Sequence, residues 1–179
     1  LVAPNQDQAL TCVNHLMQLN NERKLHVARM MKEARKRLNK RTMGDVIVIG
    51  DPDWNAGVLG LVASKISEEY ERTTFIWSRE GDMIKGSCRG WDGCHVVDLM
   101  AAVSADVFDQ FGGHAAAGGF SMSPDQVHHL AEHLQTAYDT IEHQDQQDIG
   151  ADLISLPLGQ VTTQTHQWIR MLAPFGEAN

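Results

Sequence analysis

The chain has 179 residues, 42% of them hydrophobic and 21% charged, a balance that suits a globular unit with one sizeable core. No apolar run approaches the ~18 residues a bilayer-spanning helix requires, and no basic-then-apolar leader opens the chain, so no membrane partner is expected. A net charge of −8 argues against a polyanion partner for the chain as a whole.

From about Asp7 to Leu38 the pattern is helical. Leu10, Val13, Leu16 and Met17 recur at i, i+3, i+4 spacing, and Leu25, Ala28, Met31, Ala34 and Leu38 continue it, with Asn20-Asn21 a candidate break. Residues 21–41 carry nine Lys/Arg against two Glu, which leaves six basic and twenty-one acidic residues elsewhere. Arg29, Lys32, Lys36 and Lys40 form a stripe away from the apolar one at ~100° per residue. Such a stripe is either a solvated face or a local contact for a polyanion.

Val46–Gly50 is a continuous apolar run that predicts a buried strand. Asp51–Gly57 reads as a loop, and Val58, Leu61, Val62 and Ile66 give a helical period to about Tyr70. Thr73–Trp77 and Met83–Arg89 are the next candidate strands, the latter ending in a Gly-Ser-x-Arg turn. Val96–Val103 and Val107–Phe111 read as short helices, and Phe120–Met122 as a short strand. Ser123 and Pro124 suit the N-cap and first position of a helix running to about His143. Gln144–Asp148 is a polar linker, Leu153–Leu158 a candidate edge strand limited by Pro157, and Thr163–Leu172 a final helix. Strands alternating with helices predict an α/β fold, a layered sheet with flanking helices preceded by a long connecting helix.

Three clusters carry candidate chemistry. Gly112-Gly113-His114-Ala115-Ala116-Ala117-Gly118-Gly119-Phe120 pairs two glycines with a histidine and small residues. It reads as a tight loop opening a closely packed helix, where unpaired N–H groups suit a phosphate. His114 adds a hydrogen-bond donor. An ordinary tight loop is the other reading. Gly86-Ser87-Cys88-Arg89-Gly90 places a hydroxyl and a guanidinium two residues apart on an extended segment, pointing the same way. Arginine grips phosphate through two parallel hydrogen bonds, although a turn with Arg89 in an ion pair fits as well. Asp51-x-Asp53-Trp54-Asn55-x-Gly57 follows a strand, where α/β sheets place ligands, but two Asp without a third ligand predict no metal. His129 and His133 stand at i, i+4 without the glutamate of a zinc-binding HExxH, so an exposed helix face is expected. Cys12, Cys88 and Cys94 are odd in number and lack CxxC spacing, which points to reduced thiols in a cytoplasmic protein.

Taken in order, Trp54-Asn55-Ala56-Gly57-Val58-Leu59-Gly60-Leu61-Val62-Ala63, Gly86-Ser87-Cys88-Arg89 and Phe111–Gly118 resemble the DHH-associated substrate-binding domain of the RecJ family of single-strand-specific 5′-to-3′ DNA exonucleases. Leu19–Arg23 resembles the start of that family's long interdomain helix, and Leu172–Asn179 the segment entering its oligonucleotide-binding fold. The resemblance implies an interdomain connector helix over 1–42, the substrate-binding domain over 43–145, and over 146–179 a linker and the start of the segment leading to that fold. Asn55 departs from the family, which carries histidine there; it keeps hydrogen bonding and loses the charge.

The resemblance implies that Gly112, Gly113 and His114 contact the phosphate at or beside the cut, and that Ser87 and Arg89 hold the terminal 5′-phosphate. Trp54, Asn55, Gly57 and the helix residues Arg29, Lys32 and Lys36 would lie along a single strand of DNA. The family's two-metal centre, holding Mn²⁺ or Mg²⁺, is built on an Asp-His-His motif in a preceding domain. That motif does not occur here and the first Met is Met17, so the chain reads as a fragment that is not expected to cleave DNA alone. The alternatives are the substrate-binding domain of a small-nucleotide phosphodiesterase (oligoribonucleotide or cyclic dinucleotide) and a non-catalytic nucleic-acid-binding scaffold.

Overall fold

A computed structural model of the chain describes residues 5–103, 105–141, 157, 159 and 162–171. The chain divides into two compact units, 1–146 and 147–179.

The first unit opens with α1 (Gln6–Leu38), capped by Asn5, whose side chain accepts the Gln8 N–H at 2.9 Å. The helix runs without interruption through Asn20 and Asn21, contrary to the expected break. Asparagine costs a helix only a few tenths of a kcal/mol, and Asn20 accepts a hydrogen bond from Arg23 at 2.9 Å while Gln18 donates to Glu22. Only the second half of the apolar pattern is buried, through Met30, Met31, Ala34 and Leu38. Leu10, Val13, Leu16, Met17 and Leu25 remain about half exposed.

Five strands follow: β1 (Val46–Gly50), β2 (Thr73–Glu80), β3 (Met83–Arg89), β4 (Gln110–His114) and β5 (Ala117–Met122). They form one sheet in the order β1-β2-β3-β5-β4, in which β1 pairs with β2 in parallel and every other pair is antiparallel. The parallel pair needs a crossover, supplied by α2 (Leu59–Tyr70) after a 3-10 turn over Ala56–Val58. Helices α3 (Val96–Ala102) and α4 (Leu130–Tyr138) complete the unit.

The core is divided by the sheet. On one face Ile47, Ile49 and Ile76 pack with Val62, Ala63 and Ile66 of α2 and the buried residues of α1. On the other, Val46, Phe75, Ile84, Cys88, Phe120 and Met122 pack with Val96, Leu99 and Met100 of α3 and Leu130 and Leu134 of α4. β1 feeds both clusters with alternate residues, which explains its uninterrupted apolar run.

α1 is latched to this body by charges as well as apolar contacts. Arg35 grips Glu69 of α2 through Nε and Nη2 at 2.7–3.0 Å. Arg37 donates to the Gly50 carbonyl at 3.0 Å, to Asp51 and to Glu33, and Glu33 in turn accepts the Trp54 indole N–H at 3.1 Å. Burial alone would push the Asp51 carboxyl up; hydrogen bonds from Arg37 and the Asp53 N–H outweigh it and hold it below the ordinary carboxylate value.

Two expectations fail in the same place. Val107–Phe111 is not a helix but a turn running into β4, and Gly112–Phe120 is not a loop opening a helix but most of a β-hairpin, β4–β5. Its Ala115-Ala116 turn lacks the Asn-Gly chemistry that announces a two-residue hairpin. The turn is held from outside: the Gly90 N–H donates to the Ala116 carbonyl at 2.9 Å and the Val96 N–H to the Ala115 carbonyl at 2.8 Å. These tertiary bonds override the helical preference of alanine.

Smaller differences concern ends. The Gly-Ser-x-Arg segment lies within β3 rather than in a turn, β2 continues to Glu80, and β5 begins at Ala117. Pro124–His128 is a 3-10 segment ahead of α4, and the Ser123 side chain makes no cap hydrogen bond. The fourth helix ends at Tyr138, capped at Asp139, short of the expected His143. The expected linker Gln144–Asp148 and Leu172–Asn179 lie outside the described residues, as does the candidate strand Leu153–Leu158 apart from Pro157. In the second unit, α5 (Thr163–Met171) begins where Thr162 Oγ1 accepts the Thr165 N–H at 3.2 Å.

Candidate functional site

Strand register brings the two principal clusters onto one sheet face. Arg89 of β3 is opposite Ala117 of β5, which is opposite His114 of β4. Two residues along, Ser87 faces Gly119, which faces Gly112. Two residues further, Lys85 faces Ser121, which faces Gln110. Successive side chains alternate across a sheet, so these three rows share a face. The intervening rows (Ile84 with Met122, Gly86 with Phe120, Cys88 with Gly118) belong to the apolar side against α3 and α4.

The polar face is that of α2, which packs on β2 and β3. All of β4 is exposed. Between the start of α2 and the β3–β5–β4 rows lies a cleft of about 510 Å³, bordered by Ala56, Leu59 and Gly60 on one side and floored by Lys85, Ser87, Gly112, Gly119, Gln110 and Ser121. A methyl group added at Gly60 would stand 3.2 Å from Ser87 Oγ, so a glycine in α2 keeps that hydroxyl accessible. At Gly112 an added methyl meets nothing within 4 Å, which makes this glycine open floor rather than packing. Gly113 differs: its φ is +147°, and an added Cβ would come 2.3 Å from the Ala117 carbonyl oxygen. It is required by the hairpin, not by a ligand.

Ser87 Oγ makes one weak bond, to the Gly118 carbonyl at 3.3 Å. Arg89 is half-buried, and its Nε is shielded from solvent without a hydrogen-bond partner among the described residues. A guanidinium in that condition has a donor to offer an anion. His114 is exposed at the end of the edge strand. Arg89 and His114 are two strands apart, roughly 9–10 Å between backbones, with only the Ala117 methyl between them. That separation suits two different phosphates better than two contacts to one.

The remaining expected site residues lie apart from these rows. Trp54 is buried at 7% exposure and its N–H is already taken by Glu33, which makes it a support for the loop it stands on. Asn55 Oδ1 accepts the Gly57 N–H at 2.8 Å and so caps the 3-10 turn at the cleft edge. Arg29, Lys32 and Lys36 are exposed on α1, and Lys40 is exposed in the turn that follows it. Among the described residues there is no group of three or more His, Cys, Asp or Glu able to hold a metal ion, and His129 and His133 stack with ring centres 6.2 Å apart. The residues described here do not build a two-metal centre. No helix among them is long and apolar enough to cross a membrane.

Lys85, Ser121 and Gln110 were not anticipated. The alternation that relates Ser87 to Arg89 extends back to Lys85 and was available in the sequence. The other two became visible only with the hairpin.

Residues 43–141 match the DHHA1 domain family. Over its whole length the chain is 28% identical to the single-stranded-DNA-specific exonuclease RecJ of Bacillus subtilis, and over 99% of its length 28% identical to that of Haemophilus influenzae. It spans 23% and 32% of those two proteins. The crystal structure of RecJ from Thermus thermophilus in complex with Mn²⁺ superposes on the full chain with a TM-score of 0.76 at 26% identity, the chain covering 26% of it.

Proposed function

We propose, starting from the fact that this chain belongs to the DHHA1 domain family, that it is the substrate-holding part of a larger, metal-dependent, single-strand-specific 5′-to-3′ DNA exonuclease acting in the cytoplasm in DNA repair and recombination. The observation that carries this reading is the placement of Arg89, Ser87 and His114 on one bare, glycine-floored sheet face. Arg89 and Ser87 hold the 5′-terminal phosphate, and His114 donates to the phosphate at the cut. A cleft that contacts backbone rather than bases takes a single strand of any sequence. The relatives match along α1 as well as the hairpin, which favours this reading over a small-nucleotide phosphodiesterase or a scaffold. The Mn²⁺ or Mg²⁺ ions, which activate water and stabilise in-line displacement, belong to another domain of the whole protein.

The test is end recognition. A terminal phosphate offers one more ionisable oxygen than an internal diester, and a planar guanidinium exploits it where a lysine point charge does so poorly. Arg89→Lys in the full-length protein is expected to narrow the preference for 5′-phosphorylated over 5′-hydroxyl single strands, more than it weakens binding to 5′-hydroxyl strands. Equal losses on both substrates at one salt concentration would make Arg89 a general backbone contact.

The exposed stripe on α1 contributes sequence-blind, salt-sensitive affinity in the same reading. Replacing Arg29, Lys32 and Lys36 with Gln is expected to flatten the slope of log K against log salt by roughly 0.7 per lost phosphate contact. An unchanged slope in a folded variant assigns the stripe to solvent.

A further inference from the structure

Two arginines fasten α1 to the rest of the unit, and they fasten it to different places. Arg35 holds Glu69 near the end of α2, away from the cleft. Arg37 holds the segment that leads into the cleft. It donates to the carbonyl of Gly50, where β1 ends, and to the carboxylate of Asp51, where the loop to α2 begins. Taking the cleft as the place that holds a single strand, as proposed above, we propose that Arg37 is a positioning residue for it. With Glu33 and Asp51 it holds the loop 51–57 and, through that loop, the start of α2 that stands over Ser87.

Three features carry it. First, both carboxylates are bridges. Glu33 accepts Arg37 on Oε1 and the Trp54 indole N–H on Oε2, while Asp51 accepts Arg37 on Oδ2 and the Asp53 N–H on Oδ1. The guanidinium also lies over the Trp54 ring, 5.7 Å from its centre. One side chain of α1 thus organises Asp51, Asp53 and Trp54 together. Its pairing with Asp51 is also the better shielded of the two latches: these side chains are 33% and 22% exposed, against 51% and 36% for Arg35 and Glu69. Second, the loop's backbone ties to β2 are long, from the Asp51 N–H to the Trp77 carbonyl at 3.2 Å and from the Arg79 N–H to the Pro52 carbonyl at 3.4 Å. The start of α2 has no side-chain cap of its own. Third, the cleft tolerates little movement at this edge. A methyl group at Gly60 would already stand 3.2 Å from Ser87 Oγ, so a small displacement of the first turn of α2 alters access to that hydroxyl.

The experiment is a matched pair of charge removals in the full-length protein, read as binding of a 5′-phosphorylated single strand with cleavage blocked by a chelator. Asp51→Asn and Glu69→Gln each remove one carboxylate paired with an arginine of α1, and by charge alone each favours a polyanion. An amide has one acceptor oxygen where a carboxylate has two, so Asp51→Asn keeps the Asp53 N–H or Arg37, not both. It is expected to weaken binding several-fold, against the direction of its charge change. The slope of log K against log salt stays as in wild type, because no phosphate contact is lost. Glu69→Gln is expected to bind at least as tightly as wild type. Glu33→Gln, which must likewise release Arg37 or Trp54, is expected to follow Asp51→Asn. It decides alone if unfolding curves show that Asp51→Asn does not fold. Asp51→Asn and Glu33→Gln proteins that bind like Glu69→Gln, or a changed salt slope, overturn the positioning role. If that happens while wild type binds the strand and Arg89→Lys narrows the preference for a 5′-phosphate, the function stands and only this inference falls. A wild type that binds no single strand sinks both.

Discussion

In its proposed role, His114→Ala in the full-length protein is expected to lower turnover about 10²–10³-fold, equivalent to ~3–4 kcal/mol of transition-state stabilisation, while the protein remains folded. The size follows from position. Charge grows on the phosphate oxygens as the bond breaks, and a donor fixed beside them stabilises that charge more than it stabilises the ground state. The intact fold follows from exposure: His114 ends an edge strand and its side chain supports no core contact. Steady-state kinetics with unfolding curves of both proteins decide it. Wild-type turnover would make His114 an ordinary exposed residue of the hairpin.

Gly113→Ala and Gly112→Ala are expected to have opposite outcomes although the two glycines are adjacent. At Gly113 the φ of +147° and the 2.3 Å and 2.5 Å approaches to the Ala117 oxygen and the Gly118 Cα leave no place for a methyl group. Both obstacles are backbone, so the hairpin must open. The unfavourable conformation alone costs about 1–3 kcal/mol, and the overlap adds to it. Gly112→Ala places its methyl in open space and is expected to leave the unfolding midpoint unchanged, while roughening the cleft floor and weakening single-strand binding. Urea unfolding measures the first effect and titration with a single strand the second. A Gly113→Ala protein as stable as wild type would mean the hairpin is not built this way.

Legibility differed by residue, and the reason is physical. Val46–Gly50, Met83–Arg89 and Leu59–Tyr70 were readable because their periodicity is set by the layers they pack between, which is local information. Ser87 and Arg89 could be paired in advance because alternation along one strand needs no knowledge of its neighbours. Ala115 and Ala116 were misread because what makes them a turn is two hydrogen bonds from Gly90 and Val96, far away in sequence. With the hairpin hidden, nothing pointed to Ser121 or Gln110 as floor. Nothing pointed either to Arg35 and Arg37 as latches among nine neighbouring cations, since only their contacts with Glu69 and Asp51 distinguish them.

The sheet order has a further consequence, for the sequence of events in folding. β2 with β3 and β4 with β5 are hairpins closed by two residues each, Gly81-Asp82 and Ala115-Ala116. The β3–β5 seam instead closes the chain from Arg89 to Ala117 around α3, and loop-closure entropy must be met before such contacts form. The hairpins are therefore expected early and the seam late. Ser87 and Arg89 on β3 meet the glycine floor and His114 only across that seam. On the proposed reading, affinity for a phosphorylated strand is expected to appear with the last pairing, and such a ligand to stabilise only the finished molecule by mass action.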